Sequence, residues 1–414
     1  MRVQLTSPDA THLGIDLPWD IPLAHWPDEL MVRVPRGLSR NLVRFAMAGS
    51  SLLAIKEIPD PAALKEYKLL RQLEELHLPV VEPFAVITER GNGRKNLMGM
   101  IITRFLEFSL PYRILLSTKE LAFKQEQLMD AMVDLIVQLH LAGFYWGDCS
   151  LSNTLFRRDA GRLAAYLVDA ETGEMQPLLS GGMRRYDLEQ AEENIAGELM
   201  DVAAERGLPE DMDPVVVAGE IVERYHRLWH ELNRDEVIGI DETYRIQARI
   251  KRLHQLGFDV EEMELITTNG GHRLAMRPRV VEPGFHKRRL HALTGLVAQE
   301  NQSRQLLNDI FRFKAGIESQ THQSIPQSLA ALRWITELYQ PAIHPLIEEL
   351  RGVLDGPELY HQILEHRWFM SEAAFRDVGT EEAIQSYRET ILPKILTETI
   401  THFAEDGEEV KAKS

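Results

Sequence analysis

The chain has 414 residues, 44% of them hydrophobic, 26% charged and 7% aromatic, which suits two or three globular domains rather than a disordered or fibrous chain. A formal charge of -17 disfavours a chain whose business is to neutralise nucleic-acid phosphates or an anionic membrane surface. Its one cysteine, Cys149, excludes an intramolecular disulfide and any zinc site built on several thiolates, and the expectation is a soluble, cytoplasmic protein without a membrane span or secretory signal.

From Met31 to about Arg104 short β runs dominate: Leu30–Val34, Leu42–Met47, Leu52–Ile58, Ala85–Thr88 and Leu97–Thr103. Turn residues at Gly37, Gly49-Ser50 and Gly91-Asn92-Gly93 separate them, and one helix is expected between Pro61 and Leu76. Thr118–Leu141 has helical periodicity and stops at Gly143. Beyond Asp169 the segments Tyr186–Glu205, Val215–Asn233, Asp241–Leu256, His291–Phe313, Ser328–Leu354, Pro357–Ala374 and Glu381–Phe403 all read as helices. One β-hairpin interrupts them, because Glu264–Thr268 and His272–Val280 flank Asn269-Gly270, a dipeptide suited to a two-residue type I′ turn. The polar stretch Asn233–Asp241 reads as a domain junction.

Four short features carry chemistry. Leu53-Ala54-Ile55-Lys56 ends an apolar strand in a lysine and nearly reproduces V-A-I-K, whose lysine holds nucleotide phosphates in protein kinases; alone, a strand-end lysine is more often a solvated surface residue. On the next helix Glu66 shares a face with Leu69, Leu70 and Leu73. A carboxylate on an apolar stripe needs a partner, and Lys56 is the candidate, with Glu74 as the rival acid. Gly147-Asp148-Cys149-Ser150-Leu151-Ser152-Asn153 has D-x-x-x-x-N spacing, and Asp169 closes the β run Ala165–Val168. Each is common by chance, but the four in this order are the set phosphoryl transfer requires: an ammonium, two carboxylates and an amide held in register with Mg²⁺.

Over about Pro27 to Trp229 these residues resemble the lipopolysaccharide-kinase-like and RIO-like branch of the protein-kinase superfamily. The resemblance implies an α+β, two-lobed protein-kinase-like fold, with an N-lobe at 27–106 and a C-lobe at 107–233, followed by a mainly α-helical domain at 234–400 with one β-hairpin. It also implies ATP as co-substrate with Mg²⁺ or Mn²⁺. Lys56 would contact the phosphates, Glu66 fix Lys56, Asp148 act as base, and Asn153, Asp169 and Glu171 hold metal. Gly37, Ser39 and Arg40 would cover the phosphates, and the linker containing Thr103 and Phe105 would meet adenine. Departures are plain: G-x-G-x-x-G is missing, Trp146-Gly147 replaces the first two residues of H-R-D, D-F-G becomes Asp169-Ala170-Glu171, and no A-P-E segment follows. Glu171 has a rival reading as a helix-start carboxylate, and Cys149, without a neighbouring base, reads as a packing residue.

Through the runs Gly257–Glu262, Thr294-Gly295-Leu296 with Glu300-Asn301-Gln302, and Glu365–Trp368 through Asp377-Val378-Gly379, the chain from about Asp235 to Pro393 resembles a bacterial domain of unknown function that occurs beside kinase-like modules. Arg273, Arg277 and Arg279 with Lys287 and Arg288 form the one dense basic stretch, a candidate site for an anionic acceptor, or else cations facing acidic helices. His361 and Glu365, one helical turn apart, could ligate metal but read more simply as structural. The expected function is a kinase acting on a hydroxyl of a small molecule or glycan precursor. The alternatives are a nucleotide-binding pseudokinase with the helical domain as output, and an AMP transferase.

Overall fold

The largely apolar runs Val43–Ala48 (β2) and Ser51–Ile58 (β3), joined through Gly49 at φ +62°, form an antiparallel hairpin with Ala48 opposite Ser51. The computed structural model describes residues 1–6, 17–32, 34, 41–49, 51–91, 97–117, 125–208, 212–234, 236–239, 260–268, 273–280 and 282–396, with backbone alone for 206 and 236–280. With Arg2–Leu5 (β1), Pro83–Thr88 (β4) and Gly99–Arg104 (β5) the hairpin forms a five-stranded sheet in the order β1-β4-β5-β3-β2. Of the expected Leu30–Val34 strand, the described part shows only a bridge from Met31 to Ala46.

The two faces of β3 divide the work. Leu53 and Ile55 point into a cluster with Leu17, Trp19, Leu23 and Trp26, a segment without helical or strand periodicity. Glu57, on the same face, accepts the Leu23 amide at 3.2 Å and the Arg90 guanidinium at 2.6 Å, while Arg90 also donates to the carbonyls of Trp19 and Met98. A fully buried ion pair thus fastens the N-terminal segment to the sheet. The opposite face carries Lys56 and meets Asp60–Glu75 (α1), which starts after Pro59 with Pro61 in its first turn and buries Ala63, Glu66, Tyr67, Leu69, Leu70 and Leu73.

Further along come Ser109–Pro111 (β6), Tyr112–Ser117 (α2), Gln125–Leu141 (α3), Phe144–Tyr145 (β7), Thr154–Asp159 (β8), Arg162–Leu167 (β9), Glu174–Met175 (β10), Gly181–Arg206 (α4) and Pro214–Asn233 (α5). Strands β6, β8 and β9 form one small sheet, and β7 and β10 another. Helix α3 is buried almost all round, with ten of its side chains inside. The first compact unit comprises residues 1–106, 110–156 and 165–283; the second comprises residues 107–109, 157–164 and those from Gly284 onward.

Two expectations need correction. Glu236–Gly239 (β11), read as a polar junction, pairs with Arg273–Val280 (β13), which pairs in turn with Val260–Thr268 (β12), so the region is a three-stranded sheet. Thr268 lies opposite Arg273, and the expected Asn269-Gly270 turn lies outside the described residues. Likewise His291–Phe313 is not one helix: Phe285–Thr294 (α6) ends at Gly295 with φ +73°, and Glu300–Thr321 (α7) starts afresh with a capping box between Gln299 and Gln302.

The second unit continues with Gln327–Trp334 (α8), a π turn at Ile335–Tyr339, Gln340–Ile347 (α9), Gly356–Ala374 (α10) and Gly379–Thr390 (α11). Pro341, which cannot donate, follows the widened turn. Trp334, Tyr339 and Tyr360 pack as a trio 5.1–5.4 Å apart, and Trp334 Nε1 and the Tyr360 hydroxyl both donate to Asp309. Residues 157–164 are integral to this unit: the buried Asp159 accepts the backbone amides of Asn301 and Gln302 at the start of α7, Arg157 pairs with Asp355, and Glu358 accepts the Ala160 amide.

Candidate active site

Lys56 gathers three carboxylates. Its Nζ lies 2.6 Å from Asp169 Oδ2, 3.0 Å from Glu66 Oε2 and 3.3 Å from Glu171 Oε2. Strand alternation aims Lys56 at α1, where Glu66 sits on the apolar stripe and is 1% exposed. Burial works against the charge of Lys56, but Glu66 and Asp169 outweigh it and the ammonium holds its proton more tightly than in water. One positive charge cannot neutralise three negative ones. Burial first, and repulsion from Asp169 second, push the Glu66 carboxyl up to about 8, with Lys56 opposing.

The catalytic-loop candidate is held from one helix face. Asp187, Asn194 and Glu198 follow one another on α4 at intervals of seven and four residues, which aligns them along the axis. Asp187 accepts the amides of Trp146 at 2.9 Å and Gly147 at 2.8 Å and is itself held by His140. Asn194 Nδ2 donates to Asp148 Oδ1 and to the Cys149 carbonyl, each at 3.2 Å. Glu198 accepts the Leu151 and Ser152 amides and the Ser152 hydroxyl. Gly147 has φ +75°, so the turn that presents Asp148 suits glycine. From within the loop, Asn153 Nδ2 donates to the Asp148 carbonyl at 3.0 Å and to Asp148 Oδ2 at 3.1 Å.

Two bonds tie this loop to Asp169. The indole of Trp146, at the position where H-R-D has histidine, donates to the Asp169 carbonyl at 3.2 Å, and Val168 donates its amide to the Asn153 carbonyl at 3.0 Å. The Glu171 amide caps Asp169 Oδ1 at 3.1 Å. Cys149 is buried; desolvation, then Asp187, Glu198 and Asp148, raise its thiol well above the ordinary range. Its place is packing.

Of the residues singled out in the sequence, the structure brings Lys56, Glu66, Asp169 and Glu171 together, and Asp148 with Asn153. Thr103 and Phe105 stand at the end of β5, Thr103 opposite Ala54 and Phe105 edge-on to Phe45. Gly37, Ser39 and Arg40 lie outside the described residues, as do the side chains of Arg273, Arg277 and Arg279. Lys287 reaches Gln299, and Arg288 is exposed. His361 and Glu365 line a cavity of about 390 Å³ in the second unit with Arg312 and Trp368. Asp187, Asn194 and Glu198 were not foreseen: in a helix that also carries Glu189, Glu192 and Glu193, no local signal separates a loop-holding acid from a solvated one.

The donor set suits a hard divalent cation. Ligand oxygens of Glu66, Asp169 and Glu171 all lie within 4.8 Å of one another, the one such acidic or histidine group among the described residues. Because Asn153 Nδ2 faces two acceptors, its Oδ1 is the atom left to bind a cation. When bound, Mg²⁺ would offset the excess negative charge and polarise phosphoryl oxygens.

Residues 50–195 match the family described as the Lipopolysaccharide kinase (Kdo/WaaP) family, and residues 227–392 match Domain of unknown function (DUF4032). The chain thus combines a stretch similar to lipopolysaccharide kinases with a C-terminal stretch similar to DUF4032. A solved structure titled "WaaP in complex with acyl carrier protein" is similar over 62% of this chain and 99% of its own, at 17% identity and a TM-score of 0.35. No curated protein matches the sequence. Among the described residues no helix is long and apolar enough to cross a membrane.

Proposed function

We propose that the chain is an Mg·ATP-dependent phosphotransferase acting on a hydroxyl of a small molecule or glycan precursor. The observation that carries this reading is the pairing of an ammonium ringed by three carboxylates, Lys56 with Glu66, Asp169 and Glu171, with a separate carboxylate, Asp148, held by two side-chain amides. Lys56 exchanges Asp169 for the nucleotide phosphates while Glu66 keeps its ammonium in place. Asn153, Asp169 and Glu171 hold the cation. Asp148 orients the acceptor hydroxyl and takes its proton as the oxygen bonds to the γ-phosphorus and ADP leaves.

The test is thermal unfolding of wild type and Asp169→Asn with and without millimolar Mg·ATP, followed by the mass gained by an acceptor. A metal-dependent rise in wild type, absent in the variant, is expected, since a ligand at about 100 times its Kd adds roughly 2.7 kcal/mol. A phosphate mass increment supports phosphotransfer, and an AMP increment replaces it with nucleotidyl transfer. A second reading, nucleotide binding without transfer, is favoured by the missing G-x-G-x-x-G and by Asp169-Ala170-Glu171 in place of D-F-G. Stabilisation by Mg·ATP with no ADP formed would support it, and no rise with any nucleotide would sink both.

A further inference from the structure

We propose that Asn194 is a positioning residue for the base, fixing the Asp148 carboxylate in a single orientation; this rests on the assignment of Asp148 above. Asp148 has two carboxylate oxygens and each receives one amide. Asn153, five residues on in the same loop, donates to Oδ2 at 3.1 Å, and Asn194, from α4, donates to Oδ1 at 3.2 Å. The orientation of the Asn194 amide follows from chemistry, because the same nitrogen also meets the Cys149 carbonyl at 3.2 Å and both neighbours are acceptors.

The two clamps differ in kind. Asn153 travels with the loop and can follow it, whereas Asn194 stands on a 26-residue helix and refers the carboxylate to a fixed frame. Asp187 and Glu198 hold the loop backbone on either side of it, so Asn194 is the one member of this helix face that touches the reacting side chain. Rotating a carboxylate about its last torsion costs little, since that torsion is broad. A base that must meet one acceptor hydroxyl therefore gains from a donor on each oxygen.

The experiment measures ADP release by the full chain with Mg·ATP and water as acceptor, for wild type, Asn194→Leu and Asn194→Asp. The expected result is a 10- to 100-fold fall in kcat in both variants with KM for ATP within twofold, and unchanged hydrogen exchange at the Trp146, Gly147, Leu151 and Ser152 amides. An unchanged kcat overturns the proposal, and so does a joint loss of kcat and KM with faster exchange throughout the loop, which marks a structural role. If wild type releases no ADP, the phosphotransfer reading fails by itself, and selective ¹⁵N-asparagine labelling decides the clamp. Slowed exchange of the Asn194 side-chain amide that Asp148→Ala abolishes supports it, and an Asn194 amide exchanging as freely as a solvated one overturns it.

Discussion

Replacing Glu66 by glutamine removes the titration that the buried lysine cluster imposes on the fold. Glu66 is pushed up from 4.5 to about 8, so between these values the folded protein holds a proton that the unfolded chain has released. The fold then binds more protons than the unfolded chain, and stability falls as pH rises. The contribution is fully present below about pH 4.5 and lost as pH passes through about 8. Relative to Glu66→Gln, wild type should lose about 1.4 kcal/mol per pH unit inside that window. From pH 5.5 to 7.5 this amounts to about 2.7 kcal/mol, or on the order of 5–10 °C in Tm at about 2–4 °C per kcal/mol. Calorimetry of both proteins without nucleotide, at half-unit pH intervals, reads the difference directly; excess Mg²⁺ should flatten it, since a divalent cation at Asp169 and Glu171 disfavours the Glu66 proton. A wild-type-minus-variant difference that stays level from pH 5 to 8 would falsify the account of one ammonium shared by three carboxylates.

Asp148→Asn should keep the Mg·ATP-dependent rise in Tm while phosphoryl transfer falls at least about a hundredfold; full turnover on an identified acceptor would remove Asp148 from its role. Asp159→Ala leaves the Asn301 and Gln302 amides of α7 without their acceptor and should cost about 2–4 kcal/mol in urea unfolding, whereas a loss under about 1 kcal/mol contradicts the capping role. Cys149, buried and with its thiol raised, should resist iodoacetamide at pH 8 in the native protein and react once unfolded. Labelling of the native protein at the rate of a free thiol would show that the loop opens.

What was legible in the sequence was local. Lys56 follows an apolar run within a strand, Asp148 and Asn153 lie five residues apart, and Asp169 closes a β run, so each could be found in a window of a few residues. Glu66 needed one more step, the conflict between a carboxylate and an apolar stripe, and that conflict names a partner. The N-terminal segment was invisible because its burial depends on Glu57 and Arg90, 33 residues apart and each unremarkable on its own. Asn194 and Glu198 were hidden for a different reason, as polar residues on a helix rich in them. β11 carries no strand signal of its own because Glu236–Gly239 is short, and its pairing with β13 spans a long connection. Gly295 is the sequence mark of the break within His291–Phe313, since a glycine inside helical periodicity is also a stop signal.

The capture of residues 157–164 by the helical unit bears on how this chain can be taken apart. A fragment expressed from Gly284 onward would contain every helix of that unit yet lack the carboxylate that accepts the first amides of α7 and the guanidinium that pairs with Asp355. Conversely, a fragment stopping at Pro283 would carry Asp159 and Arg157 with nothing to receive them. A cut placed between the matched stretches, after 195 and before 227, would break the same bonds. The order of synthesis has the same shape: residues 157–164 leave the ribosome about a hundred residues or more before Asn301, Gln302, Asp355 and Glu358, so the second unit can complete these bonds only with a segment that has been waiting for it.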